Sequence, residues 1–282
     1  MTMQPPIIDS HLHLWKLSEG AYPWLTPDVG VLHQDFTALQ AKVELDRAGV
    51  SAAILVQADD TLADTEWLLA NARVHPWILG VVGWIQLDDP SRAESQLEQW
   101  QHEPFLVGLR HLVHNDPRDN FLSLPAVRQS LSTVAAAGLP FDIPDAFPRH
   151  LGAAAELARA VPALTVVVDH LGKPPLTDPD AYPQWKRELT RCAELPNTVA
   201  KLSGLHIPGK GPSQAAIERA VEAALELFGA DRLMYGGDWP MSVPTGGYQP
   251  TWEVLRGLVA ALSAPEQQDI LSTTAARTYL SR

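Results

Sequence analysis

Eight short runs of apolar and β-branched residues recur along this chain, each followed by a stretch with helical spacing, and that alternation limits the folds open to it. Strands are expected near Ile7–His11, Ala52–Gln57, Ile78–Leu87, Leu106–Leu112, Leu139–Ile143, Leu164–His170, Thr198–Ser203 and Arg232–Asp238. Helices are expected at Asp35–Ala48, Asp60–His75, Ser91–His102, Ser123–Ala137, Pro148–Ala160, Tyr182–Leu195, Ser213–Phe228 and Thr251–Leu262, with a last one at Pro265–Leu280. Strands separated by helices pair in parallel through helical crossovers. Runs such as LTVVVDH are almost continuously apolar, as a sheet covered on both faces requires. No glycine-rich phosphate turn follows the first run, which disfavours an open doubly wound sheet. The 282 residues fit one (β/α)8 barrel domain, an α/β TIM barrel spanning residues 1–282. Asp35 and Ser213 are candidate N-caps, and Gly49, Gly138 and Gly229 stand where helix ends favour a left-handed residue.

The long Pro/Gly-rich segments KLSEGAYPWLTPDVG, GKPPLTDPDAYP, LHIPGKGPS and PMSVPTGGYQP all follow strands. They belong on the C-terminal face of a barrel, where barrel enzymes build their sites. A net charge of -12 argues against a nucleic-acid backbone as partner, since that surface rewards basic patches. The single cysteine, Cys192, excludes an internal disulfide and suits a reducing cytoplasm, the expected location. The opening MTMQPPIID lacks the basic and apolar regions of a signal peptide, and no apolar run reaches the length of a membrane span.

The first run, PPIIDSHLHLW, places Ile7, Asp9, His11 and His13 on one stripe of an extended strand. Three titratable groups in line are costly to bury unless something satisfies them. In a closed barrel the eighth strand neighbours the first, and its end, LMYGGDWP, brings Asp238 beside the histidine pair. Imidazoles and a carboxylate at a barrel mouth suit one divalent cation, zinc first among them. They equally suit a metal-free site in which the carboxylate activates water and an imidazolium stabilises an oxyanion. On the sixth strand, VVVDHLGKP, His170 is expected to face inward in place of Asp169, above Val166 and Val168. On the fourth, Gly108 leaves room for Arg110 to hold a carboxylate or polyol oxygen, or to make a structural ion pair. His111 then faces the helices. Gln57, Trp84, Asp142 and Lys201, at or near strand ends, are candidates for hydrogen bonds to substrate, while His33, His75, His102 and His150 read as solvated. No Gly-x-Ser-x-Gly elbow supports a serine nucleophile.

His-x-His on the first strand, DHLGKP, KLSG and GGDWP together resemble the amidohydrolase superfamily. With YPWL at Tyr22–Leu25 and GVVGWIQL at Gly80–Leu87, the chain is similar to amidohydrolase family 2 from Ile7 to Leu280. That branch includes L-fucono-1,5-lactonase, related sugar lactonases and 2-pyrone-4,6-dicarboxylate hydrolase. The resemblance implies hydrolysis of a cyclic ester, a small-molecule lactone of carbohydrate metabolism. Asp238 would be the general base, and His11, His13 and His170 would polarise or position the carbonyl. It departs from metal-dependent relatives at Asp142, where they place a ligating histidine, and at Arg110, where a two-metal site would need a bridging group. At most one cation is therefore expected, held by His11, His13 and Asp238. A metal-dependent decarboxylase of the same superfamily is the alternative enzyme. A non-catalytic barrel or a nuclease has less to recommend it.

Overall fold

The computed structural model describes residues 6–20, 22–205 and 213–281. The first five residues and most of the LHIPGKGPS loop, on which two of the readings above rest, lie outside the described residues. Eight parallel strands pair in chain order: β1 (Ile8–Leu12), β2 (Ala52–Val56), β3 (Ile78–Gly83), β4 (Leu106–Arg110), β5 (Phe141–Ile143), β6 (Val166–Val168), β7 (Thr198–Leu202) and β8 (Leu233–Tyr235). Between them run α1 (Ala38–Ala48), α2 (Leu62–Val74), α3 (Pro90–Gln99), α4 (Pro125–Ala136), α5 (Leu151–Ala160), α6 (Tyr182–Ala193) and α7 (Gln214–Phe228). After β8 come α8 (Tyr248–Ala260), the short α9 (Ala264–Gln268) and α10 (Thr274–Tyr279). This is the expected barrel, nearly closed: β1 and β8 meet through one bridge, Leu12 to Trp239, and the bonds His13 N to Trp239 O and Asp238 N to His11 O.

Local chemistry explains the elements. Thr37 and Gln40 form a reciprocal capping box at the start of α1, and Gly49, at φ 69°, closes it. Asp35 does not cap that helix; its carboxylate accepts from the Leu17 amide. Ser213 precedes α7 without a capping side-chain bond. The third, sixth and eighth strands end earlier than the apolar runs imply. β6 stops because His170 and Leu171 turn left-handed, and β8 gives way to Gly236, Gly237 and a left-handed Asp238.

Two layers of side chains hold the barrel. Ile54, Val56, Val82, Val167, Val199 and Met234 fill its interior, while a larger set packs the sheet against the helices. Tyr279 of α10 enters the interior from below, and a Cβ at Gly108 would lie 3.2 Å from its ring. No helix of the described residues is long and apolar enough to cross a membrane.

Candidate active site

The opening strand is not regular. Its register against β2 shifts between Asp9 and Leu12, so three steps along β1 match two along β2. Ile8 therefore points into the barrel and Asp9 points out, where Tyr248 of α8 donates a 2.9 Å bond to its Oδ2. The amides of His11 and Gly237 donate to Asp9 Oδ1. Beyond the bulge, His11 and His13 both face the mouth. The expected single stripe is broken, and Asp9 becomes a clamp joining β1, the β8 turn and α8. Burial pushes its carboxyl up to about 7 despite these bonds.

His11 and His13 bring their Nε2 atoms within 3.1 Å of each other, and Asp238 Oδ1 stands 3.8 Å and 3.5 Å from them. His13 Nδ1 lies 2.8 Å from the Val56 carbonyl, which only accepts, so Nδ1 carries the proton and Nε2 presents a lone pair. Burial lowers both imidazoles' pKa, well below the ordinary value for His11, and keeps them neutral. His11 Nδ1 lies 3.4 Å from Asp169 Oδ1 and 3.2 Å from Lys201 Nζ, while its Nε2, that of His13 and Asp238 Oδ1 converge on one point. Such a donor set fits one divalent cation.

Asp169 and His170 both reach the site. Val167, not Val166 or Val168, lies in the interior layer, so Asp169 continues the inward stripe of β6. The left-handed turn then swings His170 to the mouth, its ring 4.5 Å from that of His11 and its Nδ1 2.8 Å from Ser203 Oγ. The choice of one against the other is corrected: a strand that ends in a left-handed turn does not keep its alternation. Gly204 makes room, since a Cβ there would sit 2.5 Å from His170 Nδ1.

A cavity of about 210 Å³ opens above these groups, and His13, Arg110, His170 and Asp238 reach its wall. Arg110 Nη1 lies 3.5 Å from His11 Nε2 and from Asp169 Oδ2, and Nη2 donates to the Gln57 carbonyl. Four of the residues expected to meet substrate turn elsewhere, because protein groups already engage them. Gln57 donates to Asp60 and holds Arg110 through its carbonyl. Trp84 donates to His111 Nδ1. Lys201 and Asp142 lie below the cavity floor, 2.6 Å apart, with Tyr279 OH donating to Asp142 and Lys201 Nζ 3.2 Å from His11 Nδ1. Burial pushes Asp142 up to about 7 against the pull of Lys201. Burial acts the same way on Asp169, but Lys201 and His11 outweigh it and hold that carboxyl well below the usual range. His111 turns away from the mouth as expected, between Asp60 and Asp116. His150, read as solvated, is instead buried at the start of α5.

A sequence profile of the amidohydrolase family, Amidohydro_2, matches residues 8–280. The chain belongs to the amidohydrolase family. This amidohydrolase is 31% identical over 242 residues to the L-fucono-1,5-lactonase of Burkholderia ambifaria, covering 86% of this chain and 82% of that protein. It is 31% identical over 284 residues to the L-fucono-1,5-lactonase of Burkholderia multivorans, covering 96% and 95%. A crystal structure of an amidohydrolase from Burkholderia multivorans with bound zinc superimposes with a TM-score of 0.88 at 29% identity, covering 98% of this chain and 99% of that one.

Sequence reasoning missed several residues of the amidohydrolase's cavity wall: Trp15, Trp24, His114, Asp145 and Lys173. All lie in loops that follow strands, and that position is the one signal that could have found them. Trp24 is pinned there by a 2.7 Å bond to the Ala58 carbonyl.

Proposed function

We propose that this amidohydrolase opens a sugar lactone to its hydroxy acid, with Asp238 as general base. The observation that carries this reading is the meeting of Asp238 with two neutral imidazoles and Arg110 at the floor of one cavity. The curated relatives named as L-fucono-1,5-lactonases support the substrate class.

Asp238 takes a proton from water as the oxygen attacks the lactone carbonyl carbon, and the carbonyl electron pair moves onto its oxygen. Arg110 and His170, both at the cavity wall, offer hydrogen bonds to that oxyanion. Collapse of the tetrahedral adduct expels the ring oxygen, which recovers the proton from Asp238 and leaves as an alcohol still tethered to the new carboxylic acid, and that acid then loses its proton to solvent. Gln57 contributes indirectly by holding the Arg110 guanidinium. His11, His13 and Asp238 would hold one cation, zinc in the first instance, and when bound it would polarise the carbonyl or acidify the water. The decarboxylase alternative draws no support from β5, where Asp142 is locked to Lys201 and Tyr279. The negative charge favours a small-molecule substrate over nucleic acid.

The test is a panel of aldono-lactones and pyrone dicarboxylates, each followed by proton release with and without chelator. Hydrolysis of an aldono-lactone supports the reading. Release of carbon dioxide from an aromatic acid, with every lactone left intact, would replace it with the decarboxylase.

A further inference from the structure

Three successive loops deliver polar side chains to one part of the cavity wall: His114 after β4, Asp145 after β5 and Lys173 after β6. None takes part in the chemistry above. Asp145 and Lys173 both hold left-handed backbone, at φ 44° and 65°, and Lys173 Nζ lies 3.7 Å from Asp145 Oδ1. Non-glycine residues persist in that region only where their surroundings require it, and such positions cluster at binding sites.

Two atoms here stand out. His114 Nδ1 and Asp145 Oδ1 are buried without a hydrogen-bond partner among the described residues. Buried polar atoms are nearly always satisfied, so a pair left open on a cavity wall marks where a ligand's complementary groups belong. Burial lowers His114 to about 4, so it is a neutral imidazole that donates or accepts. Burial would raise Asp145, but the neighbouring positive charge, Lys173 first, outweighs it and keeps it an acceptor-only carboxylate. A hydroxyl-bearing ligand answers both. A ligand carboxylate would meet Asp145 as a like charge, and an unsubstituted ring would leave both atoms without a hydrogen bond.

We propose that His114 and Asp145 are the specificity-determining pair of this enzyme, taking hydroxyl groups of the lactone ring and so selecting polyhydroxylated lactones over plain ones. This rests on the lactonase reading and adds which residues read the substrate. Lys173 holds Asp145 in place as its countercharge. A site built to bond a hydroxyl discriminates strongly against the analogue that lacks it, because its own polar groups are then stranded.

The experiment compares a six-carbon aldono-1,5-lactone with δ-valerolactone, the same ring without hydroxyls, in the wild type, Asp145→Ala and His114→Ala. Asp145→Asn is added because Asn tolerates left-handed backbone, which covers the case in which the alanine variant misfolds. Losing a bond to a charged acceptor lowers kcat/KM by roughly 10- to 100-fold. The expected result is a loss of that size on the aldono-lactone for Asp145→Ala, carried mostly by KM and exceeding its loss on δ-valerolactone at least about tenfold. Asp145→Asn, which keeps an acceptor, should show the same preference at smaller amplitude. Equal losses on both substrates in folded variants would overturn the pair and leave the lactonase reading standing. A wild type that hydrolyses neither compound would overturn both.

Discussion

Lys201 donates a 2.6 Å hydrogen bond to Asp142 in a layer of the barrel where neither side chain touches solvent. Asp169 Oδ1 lies 3.0 Å from the same ammonium, so one cation serves two buried carboxylates directly beneath His11. Removing one partner of a buried pair strands the other. Lys201→Met should therefore destabilise the fold by roughly 3–5 kcal/mol, and adding Asp142→Asn should recover part of the loss. Urea unfolding of the single and double variants checks this; a single variant as stable as the wild type would contradict the pairing.

Asp238→Asn keeps the size of the side chain and removes the base. General-base assistance contributes about 10²–10⁴-fold, so kcat should fall by at least about 10² while the circular dichroism spectrum is retained. Steady-state kinetics on the lactone that is turned over decides it, and near-normal kcat would take Asp238 out of the proton transfer.

At most one cation should bind per chain, because both candidate groups among the described residues share His11. Metal analysis after zinc loading and desalting should read near or below one equivalent. His13→Ala should lower it, and two tightly held equivalents would show a second site.

Gly204→Ala asks whether the placement of His170 matters. Position 204 is at φ 58°, and the added methyl would press on His170 Nδ1 at 2.5 Å and on Asp238 Oδ2 at 3.0 Å. A displacement near 1 Å at reacting groups costs up to about 10²-fold, so kcat should drop clearly more than stability does. Unchanged kcat in this variant would mean His170 is dispensable.

Asp64 makes a pH-dependent contribution to stability far from the chemistry. Its carboxylate accepts from Tyr22 OH and from the Ala58 and Asp59 amides, tying the first loop to the end of β2. Burial raises it from 3.8 to about 6. The folded state thus holds this proton more tightly than the unfolded chain. The contribution is complete below about pH 3.8 and is lost as pH rises through about 6. The stability difference between wild type and Asp64→Asn should accordingly shrink across that window in urea titrations. A constant difference would show that Asp64 keeps its ordinary value.

Much of this molecule was readable from its residues, and the misreadings share a cause. Strand and helix order follow from burial periodicity, and the neighbouring first and eighth strands bring His11, His13 and Asp238 together. Alternation failed wherever the backbone left regular geometry. The bulge in β1 turned Asp9 outward, and the left-handed turn after β6 admitted both Asp169 and His170. Proximity to a strand end also proved a poor guide to contact with the cavity. Lys201 and Asp142 sit a layer too deep, and Trp84 is taken by His111. Loop residues such as Asp145 were out of reach because their positions depend on left-handed turns that no periodic pattern announces.

The seam between β1 and β8 has a consequence for how the enzyme comes into being. Its contacts join Ser10 to Tyr235, Asp9 to Gly237 and Asp9 to Tyr248, across 225, 228 and 239 positions of chain. Loops of that length close slowly, after the local helices and neighbouring strand pairs have formed. Until they close, the chain carries His11 and His13 on one end and Asp238 on the other. Hydrolysis is therefore expected only once these contacts have formed, and recovery of activity on refolding should time the joining of the two ends of the barrel.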